Sequence, residues 1–176
     1  YTHYNESSES KSLLRAIESA RQMSTNINME TENGGQLSRE FLKENLQTLW
    51  VDGIIVLDQE GKTDCEYSED ESLAGEITDY LQKDIIMDFT GYEERTYSER
   101  FEREDGAHVD IAACARKDAP GIVAIYYYTS PEFARNYTLT SRVTERLLLQ
   151  TMGKLLPATM SVCWEKIQPT TRLSRQ

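Results

Sequence analysis

Long apolar runs are missing from this sequence of 176 residues: no stretch approaches the roughly 20 consecutive apolar residues that cross a bilayer. Tyr1 brings neither an initiator methionine nor a signal-peptide pattern, so the expectation is a segment cut from a longer chain, with membrane spans beyond both ends. Cysteine is scarce. Cys65, Cys114 and Cys163, widely spaced, exclude a dense disulfide scaffold and allow at most one internal bridge. Cys65 and Cys114 both fall on expected strands, where a bridge is geometrically thinkable, but buried free thiols are the favoured reading.

Histidine is scarcer still, at two, and most nucleophile and base pairs go with it. Cys114 and His108 fall on one extended strand and cannot meet. The chain has no G-x-S-x-G elbow, no phosphate-cradling glycine loop and no H-E-x-x-H pair. His108, Asp110 and Cys114 share a strand face, yet His108 and Cys114 are about 20 Å apart at a rise of roughly 3.4 Å per residue, too far for one metal ion. The expectation is therefore a non-enzyme with no catalytic residue, metal or cofactor. A small hydrolase that depends on Asp110 or Cys114 is a third class of reading, and nothing singles out a catalytic carboxylate pair among 30 acidic residues.

Acid is what the chain has in excess. Its net charge is -11, made of -16 over residues 1–110 and +5 over residues 111–176. Such a body repels polyanions, which excludes a nucleic-acid binder and fits a solvated acidic face. The basic end, with Arg135, Arg142, Arg146, Lys154, Lys166, Arg172 and Arg175, suits either the acidic half or anionic headgroups.

Leu13, Ile17, Ala20 and Ile27 recur at helical spacing among charged residues, predicting an amphipathic helix over residues 10–29. Its narrow stripe needs a partner, either its own sheet or its copy in a parallel dimer. Gly34 and Gly35 stop it. Ser38 then caps a second helix, with Leu37 and Leu42 as a hydrophobic staple and Phe41, Leu42, Leu46 and Leu49 as its stripe. Residues 51–67, VDGIIVLDQEGKTDCEY, read as two runs folded by a turn: Asp58 suits the first position of a type I turn, and Gly61 accepts positive φ. Ser68-Glu69-Asp70-Glu71 has the form of a capping box, and Leu73, Ile77, Leu81 and Ile85 mark a third helix. Three strands follow, over residues 94–104, 107–117 and 122–129. They are separated by Asp105-Gly106, read as a two-residue turn, and by Asp118-Ala119-Pro120-Gly121. Ser130-Pro131-Glu132 opens a last helix over residues 131–152.

The order of helix, DGIIVLDQEGK hairpin, helix, and long strands ending in GIVAIYYYTSPEFARN resembles the Cache (PDC) family of extracytoplasmic sensor domains. These are PAS-like modules of bacterial histidine kinases, chemoreceptors and diguanylate cyclases. The resemblance covers residues 10–150. It implies an α+β fold: a PAS-like five-stranded antiparallel sheet of order 2-1-5-4-3, flanked by a long N-terminal helix and a C-terminal helix. It also implies a signalling helix over residues 1–36, one sensor domain over residues 37–130, and a C-terminal helix and tail over residues 131–176.

Strand alternation puts Tyr126 and Tyr128 on one face, against Val123, Ile125 and Tyr127. His108, Asp110, Ala112 and Cys114 share a mixed face opposite Val109, Ile111, Ala113 and Ala115, which read as plain core. Tyr97, Glu99 and Phe101 face away from Ser98, Arg100 and Glu102. The expected ligand-binding residues are Tyr97, Arg100, Asp110, Tyr126 and Tyr128, with Arg100 clamping a carboxylate and Asp110 holding an ammonium. The structural alternative is stronger for each singly: tyrosines fit strands, and Arg100 with Asp110 makes an ordinary cross-strand pair.

The functional expectation is an extracytoplasmic sensor domain of a bacterial transmembrane receptor, foremost a two-component histidine kinase. It binds a small ligand between the sheet and residues 71–91, and signals through its terminal helices. The partners are that ligand and, through the N-terminal helix, a possible second copy. The alternative is a cytoplasmic PAS- or GAF-like regulatory and dimerisation domain with no ligand of its own.

Overall fold

The computed structural model describes residues 2–81 and 83–134. Contacts group Tyr1–Pro131 into one unit. The expected helix over residues 131–152 and the tail lie, from residue 135 on, outside the described residues.

Helix α1 (Thr2–Glu32) is longer than its stripe predicts, and α2 (Arg39–Leu49) follows after Gly34 turns the chain with φ +81°. Ser38 caps α2 as expected, its hydroxyl accepting from Phe41 N, while Leu42 and Leu46 are buried. Strands β1 (Gly53–Asp58) and β2 (Thr63–Ser68) form the hairpin. Asp58 Oδ1 accepts from Glu60 N and Lys62 N at 2.8 and 2.9 Å, and Gly61 sits at φ +76°. These bonds hold the carboxyl of Asp58 below its usual range, led by the one from Lys62.

Helix α3 (Glu71–Tyr80) starts at Asp70, whose carboxylate accepts from Leu73 N, and not at Ser68. It stops at Leu81, and the chain re-forms as a short α4 (Lys83–Ile86) and a 3-10 turn (Met87–Phe89). That break shifts the helical phase. Ile85, expected in the stripe, is 45% exposed and Ile86 is buried instead. Strands β3 (Thr96–Glu102), β4 (His108–Ala115) and β5 (Gly121–Thr129) complete the chain's regular structure up to residue 129. The β3–β4 connection is a three-residue loop and not the expected two-residue turn. Arg103 N bonds Ala107 O at 2.9 Å, and Gly106 takes φ +87°.

The sheet is antiparallel throughout, with order β2-β1-β5-β4-β3. That is the expected fold class, and all five strands fall where the sequence placed them. Both faces are covered. Ala16, Ala20, Met23 and Ile27 of α1, with Leu42 and Leu46 of α2, pack on Ile54, Val56, Ala112, Cys114, Val123 and Ile125. On the other side Leu73, Ile77, Leu81 and Ile86 pack on Ile55, Leu57, Val109, Ile111, Ala113, Ile122 and Tyr126. The α1 stripe thus lies on its own sheet, and Ala20 and Ile27 are not free to meet a second copy.

One row ties three strands together. Gly53 of β1 pairs with Tyr126 of β5 on one side and Ser68 of β2 on the other. The Tyr126 ring lies over Gly53, where a Cβ would collide with it, and its hydroxyl donates to Ser68 Oγ at 2.8 Å. Ser68 Oγ in turn donates to Asp52 O and accepts from Asp70 N, so its donor and both its lone pairs are used. At the opposite end Arg116, with a side chain 6% exposed, bonds Asp118 twice and reaches Asp64 on β2 at 2.7 Å. It pins the β4–β5 loop to the far edge.

Cys65 on β2 and Cys114 on β4 are both free, and β1 and β5 separate them. At roughly 4.8 Å per strand the gap is about 14 Å, twice the reach of a disulfide. Burial pushes the Cys114 thiol up to about 11.

Two outcomes are expected. Gly53→Ala lowers stability by about 1–3 kcal/mol in urea unfolding, because the Tyr126 ring has to move; an unchanged midpoint would contradict the stacking. Iodoacetamide at pH 8 leaves Cys114 unmodified in the native protein and alkylates it in urea, as read by peptide mass mapping. Native labelling of Cys114 would contradict its burial.

Candidate functional site

Polar residues gather on both sides of the sheet, and the five expected ligand residues are divided between them. Arg100, Asp110 and Tyr127 lie in one row across β3, β4 and β5, on the face that α1 covers. Arg100 Nε and Nη2 donate to Asp110 Oδ1 and Oδ2 at 2.7 and 2.9 Å, with side chains 18% and 2% exposed. Burial works against the Arg100 charge, but the Asp110 bonds and field outweigh it and hold the guanidinium above its usual value. The pair satisfies itself. It is the cross-strand pair that the sequence reading gave as the stronger alternative to a carboxylate clamp at Arg100 and an ammonium site at Asp110.

Helix α1 closes over this pair with polar groups. Ser12 Oγ donates to Asp110 Oδ2 at 2.5 Å, and Glu9 stands 4.0 Å from Arg100. Ser19 Oγ meets Tyr127 Oη at 2.8 Å, with the Arg15 guanidinium 4.5 Å above the Tyr127 ring. Further along, α1 turns apolar, and its buried Ser24 donates to Ala115 O at 2.9 Å. His108, at the rim, is pushed below its usual value by burial and by Arg100.

Tyr97, Tyr126 and Tyr128 stand on the other face, with Val109, Ile111 and Ala113, the face read as plain core. Tyr126, expected as a ligand residue, is wholly buried in the core, with its hydroxyl bonded to Ser68. Tyr128 lies at the margin of this layer. Tyr97 belongs to a polar cluster between β3 and α3. Its hydroxyl donates to Glu99 Oε2, Tyr80 Oη donates to Glu99 Oε1 at 2.6 Å, and Tyr80 stacks on Phe101 at 4.2 Å. The hydrogen bond to Glu99 leads in pushing Tyr80 up to about 12, whereas burial leads for Tyr97. Arg103 pairs with Glu76 at 2.9 Å beside them.

A carboxylate gripped by two phenols within an aromatic layer can trade those bonds for a ligand's donors. Sequence reasoning set Glu99 on the right strand face with Tyr97 and Phe101, but it missed the role of Glu99. Tyr80 it missed altogether, since only the break at Leu81 fixes which α3 residues reach β3.

A further recess opens where α2 ends. Leu46, Gln47, Trp50, Val51, Asp52 and Glu69 line a cleft of about 310 Å³. Asp52 Oδ2 accepts from Tyr128 N at 2.7 Å. Burial nonetheless raises the Asp52 carboxyl above its usual value, against that bond, with the Glu69 charge adding to the rise and Arg15 opposing it.

Among the described residues no group of three or more His, Cys, Asp or Glu side chains is placed to hold a metal ion, and no helix is long and apolar enough to cross a membrane. No protein-family model matches the chain, and no curated protein matches it.

Arg100→Ala strands the Asp110 charge in the interior and should cost about 3–5 kcal/mol in urea unfolding. The double change Arg100→Met, Asp110→Leu should recover most of that loss. A single variant as stable as the parent would show that the pair is not buried in solution.

Proposed function

We propose that the chain is the extracytoplasmic ligand-sensing domain of a bacterial transmembrane receptor, with a two-component histidine kinase as its output. Three layers support the reading: an incoming helix, an antiparallel 2-1-5-4-3 sheet, and a cover of short helices, the arrangement of the Cache resemblance. A fold alone argues only by analogy. The observation that carries the chemistry is Glu99 with Tyr80 and Tyr97, a polar group set into the otherwise apolar layer between sheet and α3.

In this reading a small ligand with hydrogen-bond donors enters beside Glu99 and displaces a phenol. The strands that carry Glu99 and Asp110 are paired, with Glu99 opposite Ile111 and Arg100 opposite Asp110. A shift of β3 therefore reaches the α1 side within one residue. Ser12 and Glu9 of α1 contact that pair through polar bonds, which exchange for water at small net cost. The ligand biases the helix only by its difference in affinity for the two arrangements.

The test is a thermal-shift screen of small polar metabolites. At least one should stabilise the protein, with a gain that follows mass action, near 2.7 kcal/mol at about 100 times Kd. Glu99→Gln and Tyr97→Phe should fold and lose most of that gain. A broad library without a stabiliser, or variants that respond like the parent, would contradict the reading.

A further inference from the structure

The cleft at the end of α2 is separate from the Glu99 cluster and is lined by residues with a chemistry of its own. Helix α2 ends in a 6→1 bond, Val51 N to Leu46 O at 3.2 Å, and Trp50 N also bonds Leu46 O. The two apolar residues of this closure, Leu46 and Val51, are buried and floor the cleft. Trp50 occupies the left-handed position, φ +56°, where helices ordinarily carry glycine because a Cβ is unfavourable there. The residue is 79% exposed. Neither folding of the backbone nor burial of apolar surface explains an indole at this position.

What it shares the cleft with does. Among the described residues of the lining, Asp52 and Glu69 are the charged ones, both acidic, and Gln47 is the remaining polar one. Asp52 is held in place by Tyr128 N, at the point where β5 leaves its pairing with β1. Glu69 lies between Ser68, locked in its three hydrogen bonds, and Asp70, the cap of α3. Both carboxylates thus rise from fixed backbone. Arg15, whose charge Asp52 feels, is engaged above the Tyr127 ring and does not line the cleft.

An exposed indole, an aliphatic floor and two anions, with no cation lining the cleft among the described residues, match a compact organic ammonium. The indole face attracts such an ion through its quadrupole, while the two exposed carboxylates add an attraction that salt weakens. A volume near 310 Å³ lies at the small end of ligand pockets, which favours a small cation over a drug-sized one. We propose that this cleft is a binding site for small organic ammonium ions, with Trp50 as the aromatic wall and Asp52 and Glu69 as counter-ions. Because Asp52 holds Tyr128 N, the occupied site reports directly to the strand that leaves the sheet.

Tetramethylammonium chloride is the probe. The chain has two tryptophans, so a Trp164→Phe background, excited at the red edge where tyrosine does not absorb, leaves Trp50 as the sole emitter. The emission should change saturably with tetramethylammonium and not with sodium chloride at equal ionic strength. Choline should act likewise, and its uncharged analogue 3,3-dimethylbutan-1-ol should not. Asp52→Asn with Glu69→Gln should weaken binding about tenfold. Trp50→Gly should melt no lower than the parent, since glycine suits the left-handed position, and should show no binding heat by calorimetry.

An equal response to the neutral analogue or to sodium chloride would overturn the proposal, as would undiminished binding heat in Trp50→Gly. So would a response to a lysine-rich peptide with none to tetramethylammonium, which would assign the cleft to a protein partner. Failure of the Glu99 screen leaves this result untouched, because the two sites share no residue.

Discussion

Strand β5 has no face to give to water. It lies between β1 and β4, and its residues from Gly121 to Tyr126 are buried on both sides. A strand in that position requires cover above and below, and every other element is arranged to supply it. Helices α1 and α2 close one face, and α3 and α4 the other. The edge strands β2 and β3 carry the charged and half-exposed residues, as edges must if they are not to pair with other chains. Tyr126 extends this constraint to the neighbouring strands. By filling the gap over Gly53 and locking Ser68, it fixes both the end of β2 and the backbone of Asp52.

Double burial also explains why polar chemistry appears on two sides without mixing. A five-stranded sheet with filled faces passes no side chain from one layer to the other. Arg100 and Asp110 belong to the α1 layer, and Glu99 belongs to the α3 layer, although Glu99 and Arg100 are adjacent in the chain. Communication between the layers therefore goes through strand movement. Helix α1 meets the sheet in two ways: the half from Ala16 to Ile27 is anchored mainly by apolar packing, and the half before it through Ser12, Glu9 and Arg15. Apolar contact fixes position, whereas hydrogen bonds and ion pairs can be re-made with water in place.

Much of the fold was legible in local chemistry. The turn at Asp58-Gly61, the Ser38 cap and the apolar strands each announce themselves within a few residues, and local signals place all five strands. The sheet order came from resemblance, and the pairing confirms it. What failed was information carried by contact between distant segments. Alternation showed that Tyr126 and Tyr128 share a face and allowed Arg100 and Asp110 a cross-strand pair, but not which helix would cover which face. Register decides that: Ile111 stands opposite Tyr126, and Asp110 opposite Tyr127. The break at Leu81, which exchanges Ile85 for Ile86, has no proline or glycine to mark it in the sequence. Trp50 escaped notice because an exposed tryptophan looks like an ordinary stripe neighbour until its backbone angle is known.

The account rests most directly on the unlike halves of α1. Hydrogen exchange with mass spectrometry, run on the parent and on Ser12→Ala, separates them. Faster exchange confined to residues 9–15, with residues 16–27 protected as in the parent, is the predicted result. A uniform change along the helix, or none at all, would show that α1 is held as one piece and would contradict the account.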